Sequence, residues 1–286
     1  NQLSQYAKAP AAYLRTIPSQ LAAINLQWGL ENSPLRDDSL VLAQSNGAHS
    51  LRAMTSTAYG RIWDVEVARA IERMNESSNG RWKIPAASYS TTHPKRATTL
   101  YASDRDIFIF LVDPDHPIEV DGETLFKGFY TWNSEVGSAT YGVATFLYNR
   151  ICDNRIIWGA RNIREVKIVH RGGAPERFEY EGKRYLENYA NEATAELVQT
   201  VKKAKSTNIE LKQDQTVEQW LQARNFTKAQ SKATVAIMEM GEGGTSGGRS
   251  VWDIVNGITA YARTIPHTDE RIAVEKAGSK LMELVA

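Results

Sequence analysis

Between residues 82 and 170 the sequence is a succession of β-branched and aromatic runs: SDRDIFIFLVDP, HPIEVDG, TLFKGFYTWNSEVGS, ATYGVATFLYNR and REVKIVHRGG. Such runs suit the pleated surface of strands, and the Asp, Pro and Gly residues that cut them favour turns. They predict an antiparallel sheet. Past Gly173 the texture changes, and KRYLENYANEATAELVQTVKKAK, TVEQWLQARN, TKAQSKATVAIMEM and SVWDIVNGITAYAR carry helical periodicity. Strands followed by helices predict an α+β fold: an antiparallel sheet in the N-terminal and central part with helices packed on it, and a helical C-terminal part. The division falls at residues 1–173 and 174–286, the second packed on the first as one unit.

Ahead of the sheet, PSQLAAINLQWGL predicts a short helix capped by Ser19, with Leu21, Ile24 and Trp28 on one face and Gly29 as its stop. SLVLAQSNGAHSLRAMTS reads as a hairpin turning at Asn46 and Gly47. WDVEVARAIERMNESSNG reads as a helix capped by Asp64, with Val67, Ile71 and Met74 inward and Gly80 ending it. The stretch GEGGTSGGRS, residues 241–250, reads as a loop.

With 286 residues, 42% of them hydrophobic, the chain can bury a substantial core. A single cysteine can form neither an internal disulfide nor a Cys-rich zinc site, which suits a reducing cytosol. No apolar run approaches the roughly 20 residues of a membrane span, and residues 1–10 lack a signal-peptide layout. A soluble protein of the host-cell cytoplasm is expected. Lys+Arg 34 against Asp+Glu 33 leaves +1, so any nucleic-acid site must be a local patch.

Residues 243–250, GGTSGGRS, match P-loop spacing, but Arg249 replaces the lysine and a helix-like segment precedes the loop where a strand is needed. Asp104, Asp106, Asp113, Asp115, Glu119, Asp121 and Glu123 are hard oxygen ligands in one segment, yet they fall at strand ends and turns, where backbone reasons also place them. The five histidines show no metal-ligand spacing. Neither a metal nor a cofactor is expected. Cys152 lies between Arg150 and Arg155 in FLYNRICDNRIIWGA without an identifiable base, which reads as packing, and the segment reads as a hairpin with an Asp-Asn-Arg tip.

Charge and aromaticity coincide at residues 150–171. Arg150, Arg155, Arg161, Arg164, Lys167 and Arg171 outnumber Asp153 and Glu165 by six to two, an excess of four in a nearly neutral chain. Tyr130, Trp132, Tyr141, Tyr148 and Trp158 lie in or beside this stretch. A single-strand-binding surface needs this combination, guanidinium groups for phosphates and rings for bases. The same residues also suit a sheet with aromatic core and solvated arginines. Lys202, Lys203 and Lys205 suit charge compensation at a helix end.

FYTWNSEVGSATYGVATFLYNRICDNRIIWGA, with an N-S-E-x-G-S turn followed by R-x-C-x-N, resembles the phage/plasmid-like family called domain of unknown function 932. SLRAMTSTAYGRIWDVEVARAI resembles that family's arginine-to-tyrosine segment, and SVWDIVNGITAYA its C-terminal W-x-x-x-N-x-x-T helix. Arg155 departs from the pattern, since members usually carry glycine after the asparagine. The resemblance implies a protein of phages or plasmids with no established family activity and no catalytic residue to carry over. Its broad plan is similar to that of ring-forming annealing proteins, an analogy of fold alone.

The expected function is single-stranded DNA binding or annealing in recombination or replication by a homo-oligomer that is not an enzyme. Its surface would hold Arg150, Arg155, Arg161, Arg164 and Lys167, with Tyr148 and Trp158 as stacking groups. Two alternatives stand beside it: an oligomeric structural or host-defence-interaction protein without nucleic-acid activity, and a metal-dependent nuclease using the acidic segment.

Overall fold

The computed structural model describes residues 2–33, 39–45, 47, 49–85, 100–102, 106–149, 154–156, 165–241, 245, 247–266 and 268–285. Three helices open the chain, α1 (Gln2–Tyr6), α2 (Ala11–Leu14) and α3 (Ser19–Glu31), followed by β1 (Ser39–Ser45), β2 (His49–Ser56) and α4 (Asp64–Ser77). Strands β3 (Leu100–Ala102), β4 (Ile107–Val112), β5 (Ile118–Val120), β6 (Glu123–Asn133), β7 (Tyr141–Asn149), β8 (Asn154–Ile156) and β9 (Glu165–Ile168) come next. Helices α5 (Ala174–Asn191), α6 (Ala195–Ser206), α7 (Val217–Gln222), α8 (Lys228–Glu239), α9 (Val251–Ala262) and α10 (Thr268–Ser279) end in a 3-10 turn, Lys280–Leu284. The predicted α+β plan is the observed one.

β1 and β2 pair as a separate hairpin. The main sheet runs β3-β4-β6-β7-β8, with β5 added to β6 and β9 added to β7, and its pairs are antiparallel. Alternation sends the side chains of β6 and β7 to two faces. Phe129 and Val143 face α4 and α5 in one core cluster, while Leu125 and Leu147 on the same face join α6, α8 and α9 in another. The helical part therefore shares its core with the sheet.

The opposite face is an aromatic layer: Phe108, Phe110, Phe126, Tyr130, Trp132, Phe146 and Tyr148, with Ile272 of α10 against it. The register opposes large to small, with Trp132 across from Gly142, Tyr130 across from Ala144 and Phe146 across from Gly128. A Cβ added at Gly142 would run into the Trp132 indole, and one at Gly128 into the Phe146 ring. Glycine in a strand interior costs backbone entropy, and here the close approach of a ring requires it.

Polar groups join sheet to helices. The buried Glu123 carboxylate accepts from Asn149 Nδ2 at 2.8 Å and Trp252 Nε1 at 3.1 Å, and Lys205 Nζ lies 3.3 Å away. Lys127, buried in β6, donates to the carbonyls of Tyr189 at 2.9 Å and Glu192 at 2.6 Å, closing the C-terminus of α5 where a cation is favoured. Burial lowers its pKa.

Three local expectations are corrected. Ser19 and Asp64 are the first residues of their helices, and Pro18 and Trp63 hold the cap positions. The predicted continuous helix after Gly173 breaks after Asn191, where the extended backbone of Glu192 separates α5 from α6. The tip of the 146–160 hairpin is not Asp-Asn-Arg: Asn154 pairs with Asn149 and Arg155 with Tyr148, so both stand in β8. Residues 150–153, with Cys152, lie outside the described residues.

Gly142→Ala is expected to lower stability by about 1–3 kcal/mol, because the added methyl displaces an indole seated in a packed layer. Urea denaturation checks it.

Candidate nucleic-acid interface

The β6–β7 turn, NSEVGS, is held by its own side chains and by those of the segment preceding α4. Ser134 Oγ and Ser138 Oγ lie 2.7 Å apart, and Ser138 Oγ donates to Asp106 Oδ1 at 2.6 Å. Tyr59 OH donates to the Ser134 carbonyl at 3.1 Å, and Arg61 Nη1 donates to the Glu135 carbonyl. Arg52 pairs with the Glu135 carboxylate at 2.9 Å, whose other oxygen accepts from the Asp64 N–H at 3.2 Å. A carboxylate is thereby set at the N-terminus of α4, where the helix dipole favours it. Asn133 Nδ2 donates to Asp64 Oδ1 at 2.7 Å and to the Ile62 carbonyl at 2.9 Å. Thus the turn landmark and the arginine-to-tyrosine landmark form one interlocked structure.

Charges in this cluster are crowded. The Asp64 carboxyl is pushed up to about 6 by burial, reinforced by Glu135 and Asp106. His170 stacks on Tyr59, ring centroids 5.1 Å apart, and burial lowers its pKa. Among the described residues no group of three or more His, Cys, Asp or Glu is arranged to hold a metal ion. The acidic segment is dispersed instead: Asp106 binds Ser138, Asp113 pairs with Arg81, Asp115 pairs with Lys83, and Glu123 joins the sheet to the helices. Arg249 and Ser250 likewise do not form a P-loop, because helix α8 precedes the Gly-rich stretch and Ser250 caps α9.

Near the same end of the sheet, α10 crosses the aromatic face and leaves a cavity of about 300 Å³ lined by Phe108, Tyr130, Trp132, Ala139, Ile272 and Lys276. The Tyr130 and Trp132 rings stack with centroids 5.4 Å apart. The Lys276 ammonium lies 5.5 Å from the Trp132 ring centroid and 5.9 Å from that of Tyr130, within range of a cation–π attraction. Lys276 also bounds a second, larger groove of about 1080 Å³ that carries Arg224 and Lys280. The Arg224 guanidinium lies 3.5 Å from the Trp220 ring centroid.

Glu165 in β9 links the two. Its carboxylate meets Lys276 at 2.7 Å and Lys167 at 2.5 Å. Against burial, which raises it, hydrogen bonds from Lys167 and Lys276 hold its pKa below the usual range. Two ammonium groups around one carboxylate leave one net positive charge beside the aromatic cavity.

Of the residues expected to grip DNA, Lys167 is exposed and belongs to this network. Tyr148 is 4% exposed, packed within the aromatic layer, and is not among the residues that line the cavity beside Trp132. Arg155 stands in β8, and its side chain lies outside the described residues, as do Arg150, Trp158, Arg161 and Arg164. The NSEVGS turn and the β8 strand occupy opposite ends of β7, roughly 25 Å apart at the rise of an extended strand. Lys276, Lys280, Phe108 and Arg224 were not foreseen. A signal existed for two of them, since Ile272, Lys276 and Lys280 recur every four residues, the spacing of one helix face.

The family described as Domain of unknown function (DUF932) matches residues 90–276. No curated protein and no solved structure matches the chain.

The folded state holds the Asp64 proton more tightly than the unfolded chain does, so this group's stabilisation is full below pH 4 and is lost as pH rises through about 6. Asp64→Asn keeps an oxygen for Asn133 Nδ2. It is expected to exceed the wild type by about 1 kcal/mol near pH 7.5, after discounting for half-exposure, and to match it near pH 4. Urea denaturation at the two pH values checks this.

Proposed function

We propose that this chain, which belongs to the domain of unknown function 932 family, binds single-stranded DNA where α10 crosses the aromatic face of its sheet. The observation that carries the reading is the aromatic cavity of Phe108, Tyr130 and Trp132 with the Lys276 ammonium beside its rings. A base entering that cavity meets π faces, which accept any base, and the adjoining phosphates meet Lys276, Lys280 and Arg224 along the larger groove. Lys167 extends the positive edge through the shared Glu165. The arginines of residues 150–164 add sequence charge beside β9.

Binding of this kind is tolerant of sequence and sensitive to salt. It suits a protein that coats or anneals single strands during the recombination or replication of a mobile element. A base lodged in the cavity is already unstacked, so duplex DNA is the poorer ligand.

Fluorescence anisotropy with a labelled oligonucleotide tests the reading. The chain is expected to bind single strands in preference to duplex, with affinity falling as salt rises at a log–log slope of about −0.7 per phosphate contacted. Lys276→Gln and Lys280→Gln should each weaken binding several-fold at low salt and reduce the slope by about 0.7. Absence of binding at low salt, or a double variant that binds like the wild type, overturns the proposal.

A further inference from the structure

Two carboxylates of the sheet are held in different ways. The Glu123 side chain is 9% exposed and accepts from the neutral donors Asn149 Nδ2 and Trp252 Nε1 as well as lying beside Lys205, which fixes it in the core. Glu165 opens β9 with its backbone paired to Ala144, and its side chain is 21% exposed. Among the described residues its partners are two ammonium groups, Lys167 at 2.5 Å and Lys276 at 2.7 Å, which are 53% and 25% exposed. An ion pair open to water adds little net stability, so a competing anion can replace the carboxylate.

Position makes that replacement relevant to a ligand. Glu165 and Lys276 both border the larger groove, and Lys276 also borders the aromatic cavity, its ammonium 5.5 Å from the Trp132 ring centroid. The groove carries Arg224, Lys276 and Lys280 against Glu165 and Glu283, a surplus of one positive charge. A phosphate that follows the groove to Lys276 therefore meets a carboxylate already bonded to that ammonium. Carboxylate and phosphate oxygens accept from an ammonium alike, and two anions crowded on one cation repel.

We propose that Glu165 is an internal counterion that a phosphate of the bound strand displaces from Lys276. The inference rests on the single-strand reading of the cavity and deepens it. In the empty protein the carboxylate holds Lys276 beside the rings. When a base occupies the cavity, the adjoining phosphate takes over the ammonium and Glu165 is left with Lys167. Lys167 lines neither the cavity nor the groove, and its part is to hold the released carboxylate aside.

Fluorescence anisotropy of the full chain with a labelled single strand tests this. Glu165→Gln keeps the shape of the side chain. It is expected to tighten binding about ten-fold at low salt and to steepen the salt slope by about 0.7, since Lys276 then counts as a full phosphate contact. The gain should vanish in the Lys276→Gln background, as a double-mutant cycle requires of coupled groups. Glu283→Gln makes the same change of net charge in the same groove and should tighten binding far less. Lys167→Gln leaves Glu165 in place and should weaken binding several-fold, because the carboxylate then has no second cation to receive it. Wild-type affinity or less in Glu165→Gln overturns the inference, as does an equal gain in Glu283→Gln or in the Lys276→Gln background. Unchanged binding by Lys167→Gln overturns it also, whether or not Glu165→Gln folds. Each of these results leaves wild-type binding intact, whereas absence of binding in both the wild type and Glu165→Gln overturns the single-strand reading and this inference with it.

Discussion

The pairing of β6 with β7 is the contact on which the rest of the molecule rests. Along this ladder Trp132, Tyr130 and Phe146 lie across from Gly142, Ala144 and Gly128, so each ring spreads over a partner too small to obstruct it. The outcome is a dense aromatic face, with a cavity where α10 meets it. The reverse face carries smaller side chains that accept α4 and α5 near the turn and the C-terminal helices farther along. One strand pair thus serves both the core and the candidate site.

Most of the family landmarks prove to hold this arrangement together. The C-terminal W-x-x-x-N-x-x-T pattern is buried in α9: Trp252 donates to Glu123 of β6, Asn256 Nδ2 donates to the Trp252 carbonyl at 3.1 Å, and Thr259 Oγ1 donates to that of Val255 at 2.9 Å. The NSEVGS turn and the arginine-to-tyrosine segment bind each other and seat the start of α4. Motifs of this kind identify the fold: the NSEVGS turn follows Trp132 at the cavity's end of the sheet, and the α9 motif is tied to Glu123 at the other end.

The sheet, its hairpins and the succession of helices were legible because alternation and turn residues act over a few positions. Asn46 and Gly47 announced the β1–β2 hairpin, and Val67, Ile71 and Met74 announced the buried face of α4. Orientation was less legible. Leu21, Ile24 and Trp28 form the expected stripe yet face outward, because α1 approaches α3 at Gly29, where only a small residue permits contact. Tyr148 has the composition of a stacking residue and is buried, because even-numbered residues of β7 face the aromatic layer.

By itself the sequence determined an α+β chain, an aromatic sheet region, a local excess of positive charge and its family, since each is a property of composition or of short-range pattern. Tertiary structure alone decided that Lys276 stands beside Trp132 and Tyr130, and that Glu165 joins Lys276 to Lys167, residues 109 positions apart in the chain (276 less 167). The physical reason is that a cation near an aromatic ring is a matter of a few ångströms in space. Only the packing of α10 across β4 and β6 brings those groups within that distance.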